Sequence, residues 1–437
     1  MSKAAPGSMS LSTATCLVVA NMIGTGVFTS VGFQIKAGLT PFVILVLWLV
    51  GGVCAFCGSV AYAELAAALP RSGGEYHFLS RIYHPAAGFL AGWTSVTVGF
   101  AAPVAIAAMA VGEYIHGVWP EVRSGTVAAA TLATVTGAIV ASPRLREWFQ
   151  DAATLLKLLL LMVFIVLGAF APLTGSSLAP QTGDGTRLFS AEFAVSLTFV
   201  MYSYSGWNAS AYVSGEVRHP ARNVPLSMAL GTVIVTILYI AVNAVFLHVA
   251  PASELSDKLQ VGLIAGRHAF GETGGNWMAL LIALGLLSSM GAMQWIGPRV
   301  LATMGEDHRA LRPLSVVNTR GLPVVATIAQ TVVVVLLLAT GAFEKVLVYV
   351  QFTITLCSFL AVLGVFVLRW RKPALPRPVR AWGYPLTPFI FLAVNGWMLW
   401  HVFRDTPRES LAGLATLLAG LVVFQLFERR KCSGSSN

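Results

Sequence analysis

Charge is scarce in this sequence. Of 437 residues, only 11% are Asp, Glu, Lys or Arg, where an average soluble domain carries about 25%. So few charges could not cover the surface of a soluble chain this long, which excludes water-soluble enzymes, disordered proteins and coiled coils. Cysteine is scarce too. The five residues Cys16, Cys54, Cys57, Cys357 and Cys432 give no disulfide framework. Cys54 and Cys57 form a CxxC, but inside an apolar run with no His or acidic partner nearby, which reads as small residues at a helix contact. Paired carboxylates, an HExxH, a Ser/His/Asp set and a Walker loop are all missing from the apolar segments. Neither a hydrolytic enzyme nor an ATP-driven pump is encoded, and no cofactor and no metal site is expected. A cleavable signal peptide is not evident, because a single basic residue, Lys3, precedes the first apolar stretch. The sequon at Asn208 falls within an apolar run, so a glycosylated face is not expected.

What is present is apolar sequence, 56% of the chain. A helix needs about 20 apolar residues to cross a hydrocarbon core ~30 Å thick. Twelve runs qualify, at about 11–33, 41–69, 86–116, 124–142, 149–171, 190–213, 226–250, 274–304, 321–341, 345–369, 384–403 and 409–427. The expectation is an all-α membrane protein with twelve transmembrane helices in a single domain, residues 1–437. The stretch 251–272, with Glu254, Asp257, Lys258 and Arg267, is too polar to span and reads as an amphipathic excursion. Nineteen Lys and Arg residues fall in the termini and the loops on the same side, and eight in the opposite loops. That bias puts both termini in the cytoplasm. It also accounts for the net charge of +10, so no nucleic-acid partner is implied; the partner is the lipid bilayer.

Two spans look built to break. The first, CLVVANMIGTGVFTSVGF, has Gly24 and Gly26 at its centre, and each glycine destabilises a helix by roughly 1 kcal/mol. The sixth, SLTFVMYSYSGWNASAYVSGEV, places Ser203, Ser205, Gly206, Asn208 and Ser210 at membrane depth, where polar side chains compete for the backbone. Broken helices survive in hydrocarbon only when the freed N–H and C=O groups face a cavity or a ligand. Breaks five spans apart mark two inverted repeats, residues 11–171 and 190–369, followed by two further helices at 384–427. Half-helix N-termini suit a carboxylate and half-helix C-termini suit an ammonium. Together they suit a zwitterion. The plainer possibility is that the GxG only permits close helix packing.

Several segments resemble the amino acid–polyamine–organocation (APC) transporter superfamily. GTGVF (Gly24–Phe28) resembles its unwound first helix. AELAAALPRSGGEYHFLSRIYHP (Ala63–Pro85) resembles its second helix and the following loop, and QDAATLLKLLLL (Gln150–Leu161) its fifth helix. YSYSGWNASAYVSGEVRHPARNVPLS (Tyr202–Ser227) is similar to the sixth helix of the L-type amino-acid transporter branch, and GPRVLATMGEDHRALRP (Gly297–Pro313) to the end of helix 8. The matches run in order from about residue 11 to 370. The resemblance implies a LeuT-type 5+5 inverted repeat with helices 1 and 6 broken, and sodium-independent secondary transport of neutral amino acids across the plasma membrane by alternating access and exchange. Proton-coupled symport and transport of cationic amino acids or polyamines are the alternatives.

The resemblance also assigns residues. The substrate carboxylate is expected at the N–H groups of Thr25, Gly26 and Val27, with the Thr25 hydroxyl in reach. The ammonium is expected at carbonyls of Met22, Ile23, Tyr202, Ser203 and Ser205, with Asn208 alongside. Where the branch reads F-A-Y-G-G-W-N, this chain has Tyr202, Ser203, Tyr204, Ser205, Gly206, Trp207 and Asn208. Tyr202 is expected to gate the substrate, and Ser205 to take volume from its side-chain pocket. Tyr204 and Trp207 divide evenly between packing and substrate contact.

Lys157, in the middle of the fifth span, is costly there and must face inward with partners. It lies about eight residues, or about 12 Å, from the start of the span, too far for snorkelling. In related transporters such a lysine takes the place of a sodium ion, here against Gly24 and Ser288 or Ser289; it could instead carry a coupling proton. Glu64, Asp151 and Glu216 are expected near Arg71, Arg81, Arg218 or Arg222, as a gate network or as solvated charges. Asn243 is a candidate for lining the site. In human L-type transporters a glycoprotein is joined through a cysteine after span 3; the loop Gly117–Gly125 has none, so no disulfide-linked accessory subunit is expected.

Overall fold

Among the described residues each apolar run contains helix in the computed structural model, which describes residues 9–69, 74–141, 143–212, 214, 217–308, 311–318 and 322–433. The chain begins with α1 (Leu11–Met22), α2 (Gly26–Lys36), α3 (Pro41–Ala68), α4 (Gly74–Ile82) and α5 (Pro85–Thr94). A π-helical stretch, Ser95–Phe100, joins α5 to α6 (Ala101–Val118). Then come α7 (Ser124–Ala141), α8 (Pro143–Ala169), α9 (Asp184–Arg187), α10 (Ala191–Tyr204), α11 (Ala209–Tyr212) and α12 (Pro220–Val249). The rest comprises α13 (Ala252–Leu255), α14 (Val261–Asp307), α15 (Arg312–Ser315), α16 (Val324–Ala339), α17 (Phe343–Arg371), α18 (Leu386–Asp405) and α19 (Pro407–Ser433). Among the described residues there is no strand, only an isolated pairing of Met9 with Val217.

Among the described residues, seven of these helices are long and apolar enough to cross a bilayer, or eight with α1 and α2 counted as one bent span. The runs at 124–142, 149–171 and 321–341 contribute shorter apolar helices, and the sixth run is split between α10 and α11. The chain is a multi-pass membrane protein. The polar excursion at 251–272 forms α13 and the start of α14, which turns at Gly271, where φ is +75°.

Local sequence sets the helix starts. Ser10 caps α1 by accepting the Thr13 N–H. Thr40 caps α3 ahead of Pro41, and His84 Nδ1 caps α5 ahead of Pro85, the arrangement expected where proline at the first position fixes φ. Around the breaks, α12 packs on α1, α3 and α8, while α10 lies against α2, α3 and α18. A ring cluster fixes this centre: Trp48 to Tyr239 at 5.3 Å, Tyr204 to Tyr239 at 5.1 Å and Trp48 to Tyr204 at 6.0 Å.

Candidate substrate site

The first span breaks between Met22 and Gly26, and its two halves are bent by 41°. No side chain caps the start of α2 at Thr25. The first N–H groups of a helix have no α-helical partner within it, so those of Thr25, Gly26 and Val27 are presented at the break, while the Phe28 N–H bonds the Thr25 carbonyl at 3.0 Å. The sixth span breaks over 205–208, where Gly206 takes φ +105°. The two breaks touch. A Cβ on Gly206 would lie 2.9 Å from the Asn21 carbonyl oxygen, and one on Gly26 would lie 2.1 Å from Ser203 Oγ and 2.8 Å from Ser203 Cα. Glycine at these two positions is therefore demanded by approach of backbone to backbone, so a side chain at Gly26 disturbs packing as well as any ligand. Gly24 is the freer position, with nothing nearer its Cβ direction than the Met22 carbonyl at 4.0 Å.

Side chains tie the breaks together. Thr25 Oγ1 lies 3.3 Å from the Tyr202 hydroxyl, and Ser30 Oγ lies 3.4 Å from Ser203 Oγ. Thr29 donates to the Thr25 carbonyl at 3.1 Å. Val27 is wholly buried in the core.

Four of the five carbonyls expected to meet an ammonium already have protein donors. The Tyr239 hydroxyl lies 2.6 Å from the Met22 carbonyl and 3.0 Å from that of Ser203, so its one proton serves both breaks. Lys157 Nζ donates to the Ile23 carbonyl at 3.1 Å. The Tyr202 carbonyl accepts both the Ser205 N–H at 3.0 Å and its hydroxyl at 2.6 Å. Among the described residues, only the Ser205 carbonyl has no such partner. Asn208 turns toward α11, its amide 3.4 Å from the Tyr212 hydroxyl.

Lys157 is 3% exposed, while Leu155 and Leu159 beside it are 69% and 57% exposed. It therefore points into the bundle as its cost in lipid requires. A Cβ on Gly285 would lie 2.5 Å from Lys157 Cγ, so the lysine stem runs along a glycine gap in α14. Its ammonium also donates to Ser289 Oγ at 3.2 Å. One expected contact differs. The carbonyl partner is Ile23 rather than Gly24, because the helical path of α1 leaves the last unpaired carbonyls at its end. Of the two serines expected, Ser289 is the one that meets the lysine, while the buried Ser288 hydroxyl has no partner among the described residues.

On one flank of this centre, aromatic rings stack. Phe33 stacks on Phe199 at 5.1 Å and on Phe343 at 6.0 Å. Beyond them Lys36 pairs with Asp257 at 2.9 Å and Glu344 at 3.4 Å. On the other flank Gly24, Ser205, Gly206 and Asn208 are half-buried. Glu64 pairs with Arg369 at 2.6 Å and also accepts the Ala381 N–H at 2.7 Å. Arg369 was not among the partners expected for Glu64, since it lies on α17 and only the tertiary fold brings it close. Arg71 and Glu216 lie outside the described residues, as does the side chain of Asp151.

Tyr204 and Trp207 are packing residues here. The Tyr204 hydroxyl donates to the Trp48 carbonyl at 3.0 Å, and Trp207 packs edge-on against Tyr62 at 4.7 Å. Asn243 donates to the Tyr239 carbonyl at 2.6 Å, while its own buried oxygen has no partner among the described residues. Sequence reasoning missed Tyr239. The available signal was its place one turn before Asn243, on the same face of a span crossing the breaks.

The sequence model of the amino acid permease family matches residues 9–424. The chain belongs to that family. Among curated relatives, it is 26% identical to b(0,+)-type amino acid transporter 1 of Mus musculus, over 94% of this chain and 86% of that protein. It is also 26% identical to Asc-type amino acid transporter 1 of Mus musculus, over 95% of this chain and 80% of the relative. With large neutral amino acids transporter small subunit 2 of Rattus norvegicus the identity is 27%, over 94% and 78%. The family and these relatives are transporters, not enzymes.

Proposed function

We propose that this permease carries neutral amino acids across the plasma membrane without sodium, by alternating access and in exchange. The observation that carries the reading is the Lys157 ammonium seated on the Ile23 carbonyl within the first break. A fixed positive charge there leaves no need for a metal cation to neutralise the helix end. The paired breaks support a zwitterionic substrate, its carboxylate at the N–H groups of Thr25, Gly26 and Val27 and its ammonium at the Ser205 carbonyl. Tyr202 and Asn208 complete that site. No acidic side chain meets the two breaks among the described residues, which favours neutral over cationic substrates. The names of the relatives support amino acids as the substrate class.

The same reading has twelve spans with cytoplasmic termini, in a single domain. Residues 11–171 and 190–369 form the inverted repeats, and 384–427 the two added helices. The stacked aromatic rings and Lys36 pairs close the outer side, and the half-buried Gly24 and Ser205 face the cytoplasm. No disulfide-linked subunit is required.

The test is flux of labelled neutral amino acids into liposomes carrying the purified protein, with sodium and pH gradients imposed separately. Uptake stimulated by amino acid on the far side, and indifferent to replacing sodium with choline, is the expected result. A sodium requirement overturns the role of Lys157. Accumulation driven by protons alone overturns exchange.

A further inference from the structure

Outside the two breaks and among the described residues, one carboxyl is buried with no cation paired to it. Glu75, on α4, is 5% exposed. Its Oε1 accepts the Tyr62 hydroxyl and, at 2.8 Å, the Ser358 hydroxyl. Both donors converge on one oxygen, and among the described residues no donor meets Oε2. That arrangement accommodates a neutral carboxylic acid, whose carbonyl oxygen accepts two bonds while the other oxygen keeps its proton. An ionised carboxylate in such a place would want a cation or several donors on both oxygens.

The neighbours are known from each element. From α3 comes Tyr62, with Glu64 further on taken by Arg369. From α17 come Ser358 and the Cys357 thiol, and from α11 comes Tyr212. Helix α5 carries no ionisable group. On α4 itself, Tyr76 donates to Asp307 of α14, His77 is two residues away, and Arg81 is exposed. Phenol and thiol groups are neutral near pH 7. Burial is the main influence on Glu75 and raises its carboxyl above the ordinary glutamate value, while the Tyr62 and Ser358 hydroxyls act the other way.

This carboxyl is wired to the sixth span. The backbone of the preceding residue, Gly74, carries the Tyr212 ring so closely that a Cβ there would lie 1.9 Å from it. Tyr212 ends α11 and accepts the amide of Asn208, inside the break. We infer that Glu75 is a proton-binding site that couples pH to the packing of the inner half of the sixth span. With the proton bound, α11 stays seated on α4. Loss of the proton puts an uncompensated charge beneath it, so the arrangement that lets Glu75 reach water gains population. This rests on the transport reading for its consequence, since the inner half of the sixth span would move during alternating access.

The sign is fixed by linkage. The folded protein holds this proton more tightly than the unfolded chain, so stability falls as pH rises from about the ordinary glutamate value through the folded one. Thermal unfolding of the full-length protein in detergent, without substrate, is measured from about pH 5 to about pH 9, for wild type and Glu75→Gln. The amide keeps an acceptor for Tyr62 and Ser358 but cannot ionise. The expected result is a fall in the wild-type midpoint relative to E75Q, and parallel profiles would overturn the site. Should E75Q not fold, Ser358→Ala answers instead: loss of a donor to the ionised form moves the wild-type step to higher pH, and an unmoved step overturns the site. In liposomes, exchange by E75Q loses the pH-dependent arm seen in wild type; an arm of equal size in both refutes the coupling. Absence of flux with every amino acid would fail the transport reading alone, because the unfolding profiles decide Glu75 without it.

Discussion

Replacing Lys157 by methionine removes the ammonium and keeps an unbranched stem that fits the gap beside Gly285. Two acceptors lose their donor, and their surroundings differ. Ser289 is half-buried, so water can take over its hydroxyl. Ile23 is 1% exposed, so its carbonyl is stranded. A buried carbonyl left unsatisfied costs about 1–3 kcal/mol, and a middle figure of about 2 kcal/mol corresponds to about a 30-fold change in an equilibrium or rate. The loss falls on the conformation in which α1 and α8 meet, so exchange in liposomes should drop by about that factor while the protein stays monodisperse. Purified Lys157→Met is assayed for exchange of a labelled neutral amino acid beside wild type, in sodium and in choline. A variant exchanging at the wild-type rate would show that the ammonium does not hold the break, and the argument from the Ile23 carbonyl would fall.

Gly26→Val should weaken folding as well as binding, since Cβ meets the Ser203 backbone; Gly24→Ala, with open space, should leave the unfolding midpoint within a few degrees of wild type and change substrate affinity alone, which a ligand-induced thermal shift reads. Ser205→Gly should free the Tyr202 carbonyl from its 2.6 Å bond and enlarge the pocket, so tryptophan should gain on alanine as a competitor; equal competition by both in the two proteins would remove Ser205 from size selection. Tyr239→Phe should cost about 1–3 kcal/mol, because two carbonyls lose one shared proton, and an unfolding midpoint equal to that of wild type would refute the shared bond.

The breaks were legible in the sequence because their cause is local. Gly24 and Gly26 weaken one helix, and the run Ser203–Asn208 weakens another, whatever lies around them. The inward direction of Lys157 was legible for a similar reason, as the cost of a charge in lipid does not depend on the fold. Its partners were less so. The choice of Ser289 from the two serines expected, and Ile23 in place of Gly24, are matters of helical phase between α1, α8 and α14. The pairing of Glu64 with Arg369 and the grip of Tyr62 and Ser358 on Glu75 join residues far apart in sequence, and no periodicity announces them. Tyr239 was hidden differently: a tyrosine in an apolar span usually signals packing, and only the approach of both breaks to its hydroxyl gives it more to do.

That approach makes the two poles of the proposed site unequal. The N–H groups at the start of α2 have no capping side chain, so a carboxylate meets them without displacing a protein group. The carbonyl pole is mostly taken, by Tyr239, Lys157 and Ser205. An incoming ammonium must use the Ser205 carbonyl or compete for a lone pair on one already engaged. A carbonyl oxygen has two lone pairs, and Met22 and Ser203 share the single proton of Tyr239. Whenever that proton sits on one of them, the other is open to the substrate. On this reading the carboxylate supplies binding common to every amino acid, while the ammonium is the group whose capture shifts the hydroxyl and so reports occupancy from one break to the other. Substrate analogues separate the two roles: one lacking the amine should still bind the rigid N–H pole but fail to promote exchange, whereas one lacking the carboxylate should not bind.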